Sequence, residues 1–115
     1  MELHGTDFVV VDWSDPGGTE WEWISPLHVH HEDDEAWVVL EGRLRFRIGE
    51  HVRDAGAGEG VLAPKGTPHQ YGNPFAEPAR YLLVMTPRIA ALIEALHAGA
   101  GDVAELFRAH ASELV

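Results

Sequence analysis

Short runs of β-branched and aromatic residues, each closed by glycine or proline, fill the chain as far as Pro87. Punctuation this dense leaves no room for long helices there, so the apolar side chains must be buried between sheets. Phe8 to Trp13 reads as a first strand, ended by the turn Asp15-Pro16-Gly17-Gly18. Trp21-Glu22-Trp23 alternates as a half-buried strand does, and Pro26 forces an edge or a bend before His28. Ala36 to Leu40 is an apolar strand, Glu41-Gly42 a hairpin turn and Arg43 to Ile48 the returning strand, after which Gly49 to Gly60 is loop-rich. Val61 to Ala63 and Gln70-Tyr71 are short strands around Pro64-Lys65-Gly66-Thr67-Pro68, and Tyr81 to Met85 is the last strand.

After Pro87 the period changes. Ile89, Leu92, Ile93 and Leu96 recur on one helix face, giving a helix over about 88–98. Gly99-Ala100-Gly101 breaks it. Asp102, with Glu105 three residues on, is the capping signature of a second helix over about 102–113, whose apolar face is Val103, Leu106 and Phe107. The reading is mainly β: one domain over 1–115, with a barrel or sandwich over about 6–87 and a C-terminal helical tail. The tail either packs on the barrel or acts as a lid or dimer contact.

Composition narrows the partners. Eight basic against 19 acidic side chains give a formal net charge of −11, which repels phosphate backbones and anionic membranes; no nucleic-acid or membrane partner is expected. There is no cysteine, which excludes disulfides, thiolate zinc sites and cysteine nucleophiles. MELHGTDF lacks the basic and apolar regions of a signal peptide, and the longest apolar runs are too short to span a bilayer. A cytoplasmic protein is expected.

Three histidines and a glutamate carry the chemistry. His28 and His30 alternate, so on a strand they share one face while Val29 points away. Glu35 lies an odd number of residues beyond His30, so His31-Glu32-Asp33-Asp34 must turn or bulge if Glu35 is to join them. The polarity of that segment suits a solvated loop. His69 would enter from the Gly/Pro-shaped stretch, with Tyr71 in phase. His31 faces away from its neighbour and reads as a surface residue, and His4, His51, His97 and His110 have no spacing partner.

Three imidazoles and a carboxylate suit one divalent transition metal (iron, manganese, nickel, zinc or copper) and disfavour calcium and magnesium. Four protein ligands leave two open positions on an octahedral ion, enough for a bidentate substrate or for one substrate atom and dioxygen. The residues in phase with the ligands, Ile24, Trp37, Val39 and Tyr71, are the candidate pocket wall, together with Phe46 on the following strand. From Tyr81 to Met85 either alternating set can face inward; Leu83 and Met85 are pocket candidates from one of them. The plainer account of each is barrel packing. A pocket lined this way suits a small, weakly polar substrate. Glu35 is the candidate proton acceptor and Tyr71 the second catalytic candidate. Arg43, Arg45 and Arg47 alternate opposite Leu44, Phe46 and Ile48, and read as an outer sheet face paired with acidic neighbours rather than an anion site.

At these residues the sequence resembles the cupin family. The first cupin motif reads His28-Val-His30-His-Glu-Asp-Asp-Glu35-Ala-Trp-Val-Val-Leu-Glu-Gly42, and the second Gly58-Glu-Gly-Val-Leu-Ala-Pro64-Lys-Gly66-Thr-Pro-His69-Gln-Tyr-Gly-Asn73. One departure stands out: the opening glycine of the first motif falls at Glu22. The resemblance covers about residues 8 to 87. It implies a double-stranded β-helix (a jelly roll) with metal held by His28, His30, Glu35 and His69, and a homodimer. It further implies a metal-dependent enzyme. Small cupins with an intact ligand set resemble quercetin-dioxygenase-like proteins, so a dioxygenase-like oxidoreductase is the leading expectation. A non-redox isomerase, lyase or polyketide cyclase, or a non-catalytic ligand-binding module, is the alternative.

Overall fold

In the computed structural model, which describes residues 1–18, 20–99 and 101–115, two five-stranded antiparallel sheets pack face to face. The strands are β1 (Glu2–His4), β2 (Val9–Asp15), β3 (His28–His30), β4 (Glu35–Glu41), β5 (Arg43–Ile48), β6 (His51–Gly56), β7 (Gly60–Ala63), β8 (His69–Gly72), β9 (Ala79–Met85) and β10 (Ser112–Leu114). One sheet runs β1-β2-β9-β4-β7 and the other β10-β3-β8-β5-β6. From β2 to β10 consecutive strands alternate between the sheets, except at the β5–β6 pair, as in a double-stranded β-helix. Alternation sets the core: Trp37 and Val39 of β4, Leu83 and Met85 of β9, and Leu44 and Phe46 of β5 turn inward and are buried.

Several expected elements differ. Glu41-Gly42 is not a hairpin turn, because β4 pairs with β7 and β9 while β5 pairs with β6 and β8. Gly42 instead carries the chain from one sheet to the other. Its φ of 74° is left-handed, and a Cβ there would lie 2.3 Å from the Pro78 carbonyl oxygen, so only glycine passes. The expected strand Arg43 to Ile48 is β5, and its hairpin partner is β6, inside the segment expected to be loop. Trp21-Glu22-Trp23 is no strand; it touches the sheet through a single bridge, Trp23 to Gly72. At Gly72 a Cβ would sit 3.1 Å from the Glu22 carbonyl oxygen, so the close approach is made possible by that glycine and not by one at position 22.

Helix α1 spans Pro87–His97. Thr86 caps it, accepting from the Ile89 N–H, and Pro87 occupies the first turn, where no N–H is needed. Ile89 and Leu92 are buried beneath it. Helix α2 spans Val103–Ala109, with Asp102 accepting from the Glu105 N–H at 3.1 Å. It stops short of the expected end. Ala111 turns to φ 53° and the chain leaves as β10, which pairs with β3. Ala100, in the expected helix break, lies outside the described residues. No helix among the described residues is long and apolar enough to cross a membrane.

Candidate metal centre

The sheets bring the four candidate ligands together. His28 of β3 faces His69 of β8 directly across the ladder, and His30 follows two residues on. Glu35 comes from β4 of the opposite sheet. The intervening loop makes this possible, but it is less solvated than expected: Asp33 is buried, with the Arg88 guanidinium of α1 at 3.5 Å, and Asp34 accepts the Lys65 N–H at 2.8 Å. One ligand atom from each of His28, His30, Glu35 and His69 lies within 4.8 Å of all the others, and all four residues are buried. His31, by contrast, is exposed and sits 3.4 Å from Glu113.

Hydrogen bonds aim the rings. Nδ1–H of His28 donates to the Pro26 carbonyl at 2.6 Å, and Nδ1–H of His69 to the Thr67 carbonyl at 2.9 Å. Carbonyls only accept, so both rings carry their proton on Nδ1 and turn an Nε2 lone pair inward. There the Nε2 atoms of His28 and His30 are 3.2 Å apart, and Glu35 Oε1 is 3.0 Å from His69 Nε2 and 3.3 Å from His30 Nε2. Lone pairs and a carboxylate at such distances repel unless a positive charge lies among them. The donor set therefore fits a divalent transition ion.

Electrostatics favour the same forms. Burial, helped by neighbouring His69, pulls the His28 imidazole down to about 4, so the ring is neutral at ordinary pH. Burial alone would raise Glu35; the hydrogen bonds and charges of His30 and His69 outweigh it and bring the carboxyl down to about 2. Those partners act when protonated, and a bound cation would take their place. Tyr71 is held well above the ordinary tyrosine value, by burial first and then by Tyr81, whose hydroxyl lies 2.9 Å away.

A cavity of about 210 Å³ opens from the cluster. Trp13, Ile24, Trp37, Tyr71 and Leu83 form its barrel side; Ile89, Leu92, Ile93, Leu96 and Phe107 form its helical side. Ile24, Trp37, Tyr71 and Leu83 were expected there. Val39, Phe46 and Met85 do not line it. Strand phase fixes a side chain's face but not its depth: Val39 lies four residues beyond Glu35, about 13 Å along the strand, and Phe46 is likewise packed in the core with no exposure. Met85 borders a separate cavity beside β1 and β2. The sequence does not assign the helical wall, because an apolar stripe says it will be buried but not against what. The outer arginines behave as expected at Arg45, which grips Asp54 through two hydrogen bonds of 2.8 and 3.2 Å.

The sequence profile described as Cupin domain matches residues 16–85. The chain belongs to the cupin family. Among solved structures, this cupin is similar to a sugar phosphate isomerase of the cupin superfamily from Silicibacter pomeroyi, at 29% identity and a TM-score of 0.60 over 70% of the chain. The match spans only 50% of that protein. A protein with a double-stranded β-helix domain from Klebsiella pneumoniae is 28% identical, with a TM-score of 0.60 over 74% of this chain and 71% of that one. A Thermus thermophilus protein is 27% identical, with a TM-score of 0.63, covering 74% of this chain and 77% of its own. No curated protein matches this cupin.

Proposed function

We propose that this cupin is a metal-dependent enzyme acting on a small, weakly polar molecule, with dioxygenation as its reaction. The observation that carries the reading is the convergence of His28, His30, Glu35 and His69, the first three of which line an apolar cavity. Those four residues would hold the metal. Bound there, a divalent transition ion supplies Lewis acidity and, where it is redox-active, a route for electrons to dioxygen.

The chain's own residues do the rest. Glu35 is ionised at physiological pH and would be the group that takes a proton from substrate. Tyr71 keeps its proton, so its part is to donate a hydrogen bond and not to act as a base. The apolar walls exclude water. A dry cavity of roughly 150 Å³ accepts a benzene ring, so about 210 Å³ gives room for a single substituted ring or a short chain. Such a substrate would offer an enol, diol or carboxyl group to the centre.

A non-redox isomerase or lyase is the second reading, favoured by the likeness to the Silicibacter pomeroyi sugar phosphate isomerase. No lysine or arginine lines the cavity among the described residues, so phosphate would meet no countercharge; the substrate in this version is unphosphorylated.

Metal content of protein purified without chelating resin, followed by aerobic and anaerobic turnover of small diketones, enols and acids, tests both readings. Glu35→Ala and His69→Ala are expected to lose most of the metal and His31→Ala to keep it. Equal retention in all three refutes the ligand assignment. Turnover indifferent to oxygen refutes dioxygenation alone and leaves the second reading.

A further inference from the structure

We propose that Ser112 is a positioning residue for the metal centre, fixing His30 in the tautomer that turns Nε2 toward the ion; this rests on the metal-binding reading above. Ser112 lies opposite His30 in the β10–β3 pair and is 1% exposed. Its Oγ is 3.0 Å from the His110 carbonyl oxygen and 2.7 Å from His30 Nδ1. A hydroxyl has one proton, and a carbonyl can only accept it. The Ser112 proton therefore goes to His110, and Oγ turns a lone pair toward His30. Nδ1 must carry the hydrogen, which leaves the neutral ring an Nε2 lone pair facing the cluster.

His28 and His69 are oriented by backbone carbonyls, which any sequence supplies. His30 depends on a side chain 82 residues later, outside the region matched by the family profile. The local backbone is set for this contact. Ala111 holds a left-handed φ of 53°, unfavourable for a residue with a Cβ, and its carbonyl accepts the His31 N–H at 2.8 Å. The strained residue turns the chain out of α2 so that the next side chain reaches the ligand. Without Oγ, the His30 Nδ1–H would lose its buried acceptor. The ring would then gain by moving its proton to Nε2, 3.3 Å from the Glu35 carboxylate. That proton would occupy the position the ion needs.

The test compares wild type, Ser112→Ala, Ser112→Thr and Glu113→Ala by Zn²⁺ competition against a chromophoric chelator. It also reads the imidazole tautomers of the metal-free proteins by ¹H–¹⁵N correlation NMR. Ser112→Ala should weaken Zn²⁺ binding by about 10- to 100-fold and move the His30 proton to Nε2. Ser112→Thr, which keeps the hydroxyl, should restore both, and Glu113→Ala should change neither. Unaltered affinity in a folded Ser112→Ala overturns the proposal and leaves the metal centre standing. If wild type itself binds no Zn²⁺, the metal reading fails and takes the proposal with it. Should Ser112→Ala not fold, the wild-type spectrum decides: a proton on His30 Nε2 in the metal-free protein refutes the assignment.

Discussion

Burial acts on His28 and Glu35 in opposite chemical senses, yet both end in the form a cation binds: a neutral ring and an ionised carboxylate. Each folded-state value lies below its ordinary one, so in the metal-free protein the unfolded chain takes up protons first as the solution is acidified. Stability is complete above about 6.5 for the histidine, falls as pH drops toward about 4, and falls again as Glu35 is protonated between about 4.5 and about 2. One group contributes a slope of up to about 1.4 kcal/mol per pH unit. Urea titrations of chelator-treated protein should show the midpoint declining from pH 6.5 to 4, and His28→Gln should flatten that decline; an unchanged slope in the variant would rule out His28 as its source. At this scale the sequence is informative, because strand phase and motif spacing name the four residues directly. Ser112 is not legible. No local pattern links it to a histidine so far away, and its segment reads as the end of a helix.

Glycine at a corner and glycine in a hairpin look alike in sequence, since both need left-handed backbone. That is why Glu41-Gly42 reads as a hairpin turn between β4 and β5, although each strand finds its partners elsewhere. Strand β6 is hidden in the sequence because His51-Val-Arg-Asp-Ala-Gly56 is exposed along most of its length and shows no buried alternation. Strand β10 has only three residues and exists through pairing with β3. The corner makes a sharp prediction. Gly42→Ala adds left-handed strain of about 1 kcal/mol and drives a methyl group against the Pro78 backbone. The combined loss should be at least about 2 kcal/mol, seen as a lower urea midpoint with the slope retained. A variant as stable as wild type would mean that the corner relaxes freely.

Across the whole molecule, the candidate ligands tie the two sheets to each other: three imidazoles from one and a carboxylate from the other. An ion held there binds the folded chain and not the unfolded one. At a free concentration 100 times Kd it should stabilise the protein by about 2.7 kcal/mol, a rise in Tm of roughly 10 °C for a chain of this size. Thermal melts with and without Zn²⁺ or Mn²⁺ check this, and Glu35→Ala should abolish the rise. Two-sheet architecture is legible from short strands and turn residues. The placement of the helices over the cavity is not, because amphipathic faces carry no address. That placement divides labour within the molecule. The candidate ligands sit on strands, while Ile89, Leu92, Ile93 and Leu96 of α1 supply part of the cavity wall. Substitutions confined to that one helix can therefore reshape the hollow while the strand-borne cluster keeps its geometry.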